Sequence, residues 1–229
     1  MNQLVQNLET ELFTVEREWT VDGIPVLSAV VSLPRPTDRA GRIPRRIDRF
    51  YQLQSRIYLQ YCEKQLFPLS AGEYQRALAG SSPLPHDTAA MTGRVTCSEH
   101  GVWSLFTDTR ETVGGQTELL RRGDTWDLSS GYPLPLSAFF PQRFPARKAL
   151  ISCAETEILR QEQAGLARYH DAWRRELRRR FNRENFYLCP DGLRFFWQMY
   201  AIAPAAEGIP TFFLPFSAEG CRWPEPGAF

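Results

Sequence analysis

The residues that most narrow the folding options are Asp191 to Pro210, DGLRFFWQMYAIAPAAEGIP. Leu193, Phe195, Trp197 and Met199 alternate with Arg194, Phe196, Gln198 and Tyr200, the two-residue period of a β-strand. The first face is wholly apolar. The second is mixed and carries two aromatic rings, which predicts a central strand with helices on one side and partial cover on the other. Asp191-Gly192 is a turn signal that fixes where the strand begins. Pro204, Gly208 and Pro210 forbid further ladder pairing and force an ordered loop, after which TFFLPFS resumes as a second short strand. Such a strand needs a core to be buried in, and 229 residues with 43% hydrophobic and 13% aromatic content are enough to build one.

The rest of the chain supplies partners for it. Phe13, Val15, Trp19 and Val21 share an odd-numbered face, Asp22-Gly23 provides a tight turn, and Ile24 to Leu33 resumes as a strand, so the N-terminal region reads as a β-hairpin. PRPTDRAGRIPRR is a polar loop. From about Pro44 the period changes: Ile47, Phe50, Tyr51, Ile57, Tyr58 and Tyr61 predict an amphipathic helix ending near Phe67-Pro68. One further helical turn and a Ser/Pro-rich loop follow. GRVTCSE, VWSLFTDTRET and QTELLRRGDTWDL, turning at His100-Gly101 and Gly114-Gly115, form a three-stranded meander closed by a short helix with Leu136, Phe139 and Phe140. Residues 145–181 read as helical with a weak point near Gly165, and Tyr169, Trp173 and Leu177 mark the buried stripe. The fold class is therefore α+β: antiparallel or mixed β-sheets, from an N-terminal hairpin, a central meander and C-terminal strands, packed with two or three helices.

A formal net charge of +1 offers no global field to gather phosphates, which argues against nucleic acid as a partner. Nearly all the positive charge is arginine, Lys64 and Lys148 being the only lysines. Five scattered cysteines without a Cys-x-x-Cys pair give neither a disulfide framework nor a zinc site. MNQLVQNLETELF has no cationic segment followed by an apolar one, and no stretch approaches the roughly 20 apolar residues of a membrane span, so the expectation is a cytoplasmic chain.

Few residues point to catalysis. Cys97 and His100 could begin a metal site with Asp108 or Asp124, but that is half a motif, and a buried thiol beside a turn histidine accounts for it. Glu99, Asp108, Glu118 and Asp124 lie on neighbouring predicted strands, so a carboxylate pair is conceivable; exposed strand carboxylates are the plainer reading. Nucleotide-binding and serine-hydrolase motifs are absent, and nothing calls for a metal or cofactor. In AWRRELRRRF, Arg174, Arg175, Arg178 and Arg179 lie opposite the buried stripe, either as a solvated face or as contacts for an anionic partner.

The stretch NFYLCPDGLRFFWQMYAIAPAAEGIPTFFLPFS resembles the C-terminal signature of the DUF3298 family. The resemblance rests on Asn185-Phe186-Tyr187, Asp191-Gly192-Leu193, Tyr200-Ala201-Ile202-Ala203-Pro204 and Pro215-Phe216-Ser217, and upstream on Gly114-Gly115, Asp127, Gly131, Leu134, Leu136 and Phe140. In that family the domain usually follows a DUF4163-type half, as in the anti-sigma factor RsiV and the non-catalytic part of some peptidoglycan deacetylases. The resemblance implies a DUF4163-like half at residues 1–92 and a DUF3298-like half at 93–229, packed as one unit. Two positions depart from the family: Gln116 and Thr117 stand where a histidine is common, and Ala201 where a glutamate is common. Roles for those two groups are not carried over. The resemblance implies a non-enzymatic binding or sensing module for a protein or cell-wall glycan, with Gly114, Gly115, Gln116, Thr117, Trp126, Tyr200, Pro204 and Gly208 as loop and rim residues. The competing readings are a carboxylate-dependent hydrolase on glycan or peptide, and an intracellular protein-interaction domain.

Overall fold

The computed structural model describes residues 7–80, 84, 86–218 and 220–224. It is a mixed α+β fold with two sheets, one of six strands in the order β1-β2-β3-β4-β5-β6 and one of three in the order β7-β8-β9. The chain divides into two compact units. Among the described residues, one holds residues 9–94 and 107–119; the other holds residues 7–8, 95–106 and 120–224. The junction between residues 92 and 93 lies inside a strand.

The first unit starts with the hairpin read from the sequence. β1 (Thr10–Val21) and β2 (Ile24–Pro36) pair antiparallel across Asp22 and Gly23, both at positive φ, as a type I′ turn requires. β2 then pairs in parallel with β3 (Asp87–Glu99), from Leu27 opposite Asp87 to Ser32 opposite Thr92. Parallel neighbours need a long crossover, and a helical rod supplies it. α1 (Arg42–Tyr61) passes through a π-helical turn (Cys62–Leu66) into α2 (Phe67–Gly80). The helix therefore does not stop at Phe67-Pro68 as its sequence predicts, nor does it add merely one turn. A proline ring clashes with the carbonyl four residues back, here Lys64 inside the π turn. The wider coil relieves that clash, and Phe67 N–H bonds to Cys62 C=O, five residues back. Val26, Leu27, Val31 and Leu33 of β2 and Ile47, Tyr51, Tyr58, Cys62 and Leu66 of the rod are buried. The Ser/Pro-rich loop falls largely on residues 81–83 and 85, outside the described residues.

The meander is present as read: β3, β4 (Val102–Val113) and β5 (Gln116–Asp127) are joined by two-residue turns. β3 starts six residues before the GRVTCSE strand of the sequence reading. Each of these three strands runs through both units. In the second unit β6 (Tyr132–Pro133) pairs with the end of β5, and a 3-10 turn (Leu136–Phe139) follows.

β7 (Phe186–Cys189), β8 (Gly192–Phe196) and β9 (Thr211–Pro215) form the small antiparallel sheet, with β8 central as predicted. Phe195, Phe196 and Trp197 are each 2% exposed, so both faces of β8 are covered. The strand is shorter than the alternation suggested. It ends at Phe196, and Tyr200 takes a positive φ of 64°. Pro210 explains the early stop: Trp197 N–H donates to the Pro210 carbonyl at 3.0 Å, and the proline has no N–H to continue the ladder. Gln198 instead pairs its side-chain amide with β5. Arg121 N–H donates to Gln198 Oε1 at 2.9 Å, and Gln198 Nε2 donates to Arg121 C=O at 2.6 Å.

The predicted helix over residues 145–181 is two helices, α3 (Ala146–Gln163) and α4 (Trp173–Arg179), separated by nine residues. Gly165, at φ 64°, closes α3 with a Schellman motif: Gly165 N–H reaches Glu162 C=O at 3.1 Å and Leu166 N–H reaches Gln161 C=O at 2.9 Å. Phe139, Leu150, Ile158, Trp173, Leu177, Leu193, Trp197, Ile202 and Phe212 belong to one aromatic-rich core. Gly123 on β5 is required by the close approach to β7, since a Cβ there would lie 1.7 Å from the Phe186 carbonyl oxygen. Among the described residues no helix is long and apolar enough to cross a membrane.

Candidate functional site

The aromatic strand positions a groove on the second unit. The Trp197 indole N–H donates to the Leu177 carbonyl at 3.1 Å, satisfying a carbonyl in the last turns of α4 from inside the core. Phe181, just beyond α4, packs on Trp197 at 6.1 Å between centroids, and the Arg147 guanidinium of α3 lies 5.7 Å from the Phe181 ring. Arg147 Nη2 also donates to the Arg178 carbonyl at 2.7 Å, tying the start of α3 to α4. An open groove of about 700 Å³ lies here. Phe144, Pro145 and Ile151 give it an apolar wall; Arg147, Lys148 and Arg178 give it a cationic rim; Ser152 and Glu155 complete its polar side.

Its electrostatics are lopsided. α3 begins without a side-chain cap and with no acidic residue in its first turn, while Arg147 and Lys148 occupy that turn. Cations at the positive end of a helix dipole are unfavourable, and an anion there is favourable. Glu155 accepts from Arg178 Nη2 at 2.5 Å, so the one carboxylate of the lining already has a partner. Phe144 is fixed by stacking on Phe140 at 5.4 Å between centroids. The sequence reading missed Arg147 and Lys148. The signal was in FPARKAL, a proline-led helix start carrying two cations where acids are favoured.

Of the four arginines singled out on α4, only Arg178 lines the groove. Arg174 lies over the Trp173 ring at 4.3 Å. Arg175 and Arg179, together with Arg180, converge on Glu176 at 3.2, 2.6 and 2.9 Å. Hydrogen bonds from Arg180 first, then Arg179 and Arg175, hold the Glu176 carboxyl down at about 2.

The predicted loop residues are divided between the units. Gly114 and Gly115 form the β4–β5 turn with φ of 59° and 72°. Gly114 N–H donates to Asp87 Oδ1 at 3.2 Å, and a Cβ at Gly114 would lie 2.3 Å from Glu73 Oε1. Gln116 is exposed, and Thr117 Oγ1 lies 3.0 Å from Thr112 Oγ1. These four belong to the first unit; Trp126, Tyr200, Pro204 and Gly208 belong to the second. Trp126 is interior at 3% exposure. Tyr200 is 50% exposed, Pro204 opens a 3-10 turn (Ala205–Glu207) and Gly208 closes it at φ 64°.

The carboxylates considered for catalysis are also divided, Glu99 and Asp124 in the second unit, Asp108 and Glu118 in the first. Asp124 Oδ1 accepts from Arg122 Nε and Nη2 at 3.1 and 2.9 Å. Cys97 is buried, which pushes its thiol up to about 12, and the His100 ring meets Trp223 edge-on at 5.6 Å. Among the described residues no three His, Cys, Asp or Glu side chains are grouped to hold a metal ion.

Comparison with known proteins places the groove in a recognised segment. Residues 140–217 match the family described as "Protein of unknown function (DUF3298)". The chain is similar to the crystal structure of a DUF3298 family member from Bacteroides fragilis NCTC 9343, with a TM-score of 0.69 at 14% identity, covering 93% of this chain and 92% of that one. It is also similar to a DUF3298 family protein from Pseudomonas aeruginosa PAO1, with a TM-score of 0.58 at 16% identity, covering 93% of each chain. At those identities the likeness is one of fold. No curated protein matches. The resemblance read from the C-terminal signature thus agrees with the family match over residues 140–217, which contains α3, α4 and the three-stranded sheet.

Proposed function

We propose that the chain is a non-enzymatic binding module of the DUF3298 type that recognises a carboxylate-bearing protein or cell-wall glycan through the groove at the start of α3. The observation that carries this reading is the pairing of an apolar wall, Phe144 and Ile151, with the cations Arg147 and Lys148 in an acid-free first turn. A ligand carboxylate there would meet both side-chain charge and the helix dipole, while its apolar part covers the ring. A DUF4163-like N-terminal half and an RsiV-like sensing role are part of the same proposal, by family analogy. The test is calorimetry with muramyl peptides and with acidic peptides. Lys148→Glu, a charge reversal at an exposed position, should weaken binding about tenfold or more. Equal binding by wild type and variant would remove the groove from the reading.

Tyr200 supports a second ligand surface. Its backbone is held in the left-handed region and its ring is half exposed, a strained arrangement more often found at functional positions. Stacking on a sugar ring is the role we assign it, with Pro204 and Gly208 shaping the adjacent turn and Gly114 to Thr117 as a separate loop surface on the first unit. Tyr200→Ala should lower affinity for a glycan fragment while leaving acidic-peptide binding unchanged, and loss of both would contradict that division.

A further inference from the structure

The first unit carries a hollow outside residues 140–217, the segment that the family model matches. Arg42, Arg45, Arg46 and Arg49 of α1 follow the i, i+3, i+4, i+7 spacing of one helical face, and together they line a concavity of about 360 Å³. Because arginine is the chain's general-purpose cation, its use here is uninformative; its convergence is not. The carboxylates nearest in sequence are engaged elsewhere. Glu11 pairs with Arg35 and Arg39 at 2.9 and 3.7 Å, Asp38 Oδ1 accepts from Ala40 N–H at 2.8 Å, and Asp48 is buried with Oδ2 accepting from Gln52 at 2.8 Å. Among the described residues no carboxylate pairs with Arg42, Arg45 or Arg49, and all three are exposed. Arg45 is held in place: Nε donates to the Arg39 carbonyl at 2.9 Å and Nη2 to the Ala40 carbonyl. Its remaining N–H donors are left for something else.

We propose that this hollow binds a compact, freely diffusing anion of phosphate chemistry, a pyrophosphate or phosphomonoester group. Several guanidinium groups around so small a space match a doubly charged oxyanion better than a single carboxylate, since each planar fork can present two parallel N–H donors to adjacent phosphate oxygens. The absence of a side-chain cap and of first-turn acids at α1 adds field of the same sign.

The test titrates the full chain with pyrophosphate by calorimetry and thermal shift, against sodium chloride of matched ionic strength. Wild type should be stabilised by pyrophosphate beyond the salt control. Arg42→Gln with Arg49→Gln, both exposed and confirmed folded by circular dichroism, should weaken binding about tenfold or more. Arg174→Gln with Arg175→Gln on α4 should bind as wild type. No pyrophosphate response in wild type, or equal binding by the α1 double variant, would overturn the proposal. So would capture of phosphatidylglycerol vesicles or polyglutamate through these arginines with no response to pyrophosphate, because the occupant would then be a lipid surface or an acidic protein.

Discussion

Two arginine-rich helical faces in this chain look alike as letters and differ as physics. On α4, Arg175, Arg179 and Arg180 surround Glu176, which is 12% exposed beneath them, and Arg178 reaches Glu155. On α1, Arg42, Arg45, Arg46 and Arg49 sit in the first two turns with no acidic residue in the first. A charge run is a property of composition; whether it is a reservoir of unanswered charge depends on where the carboxylates fold to. The α4 run was singled out in sequence as a candidate partner contact, and four of its five arginines share two carboxylates, Glu176 and Glu155. The α1 run began inside a segment read as a polar loop, and among the described residues no carboxylate pairs with its Arg42, Arg45 or Arg49.

The largest expected effect concerns what anchors the α4 face. Trp197→Ala removes a fully buried indole and the donor to Leu177, and should destabilise the protein by about 3–5 kcal/mol in chemical denaturation. In native-state hydrogen exchange, the variant should lose protection in α4 well before α1. Equal loss in both helices would show that Trp197 does not anchor α4 in particular.

A second measurement reads the neutralisation itself. The Glu176 carboxyl lies at about 2 in the folded chain, below its ordinary value of 4.5. Its pairing therefore contributes stability that is complete above about pH 4.5 and is lost as pH falls toward 2. The melting-temperature difference between wild type and Glu176→Gln should be flat near neutrality and shrink across that acidic window. The same variant releases three guanidinium groups, so α4 should acquire the anion-dependent stabilisation expected of α1. A difference that stays constant down to pH 2 would contradict the neutralisation.

The smallest effect has opposite signs on the two helices. Arg42→Glu places an acid at the start of α1 and should stabilise the free protein by about 0.3–1 kcal/mol at low salt, while abolishing pyrophosphate binding. Arg179→Gln should instead lower the melting temperature slightly, because it removes a partner of Glu176. Salt should reduce both changes.

What could be read in advance follows from how local each cause is. The hairpin, the meander and the central position of β8 were legible because two-residue alternation and paired turn residues act within a few positions. The end of β8 was legible only in part: Pro210 marks the limit of the ladder, but the turn of the Gln198 amide to Arg121, far away in sequence, has no local signal. The rod ran through Pro68 because a π turn can absorb a proline, a relief no propensity announces. Parallel pairing of β2 with β3 followed from that, for a rod of such length is what the crossover needed. Gly165 was noticed as a weak point, yet its left-handed cap ends α3 outright. Among the candidate ligand residues, Trp126 was legible as aromatic and not as interior, and Tyr200, read as part of the strand alternation, gave no local sign of its left-handed backbone or its half-exposed ring.

The passage of β3, β4 and β5 through both units has a practical consequence for anyone wishing to dissect the protein. The chain enters or leaves each unit at residues 8–9, 94–95, 106–107 and 119–120, so no single cut releases either one whole. The stretch that carries the family match, excised by itself, would forfeit residues 95–106 and 120–139 of its own unit and leave the Phe186 carbonyl without Gly123 against it. Biochemical work on either half is therefore best done by point substitution in the intact polypeptide, and a library of truncations should yield insoluble fragments rather than working pieces.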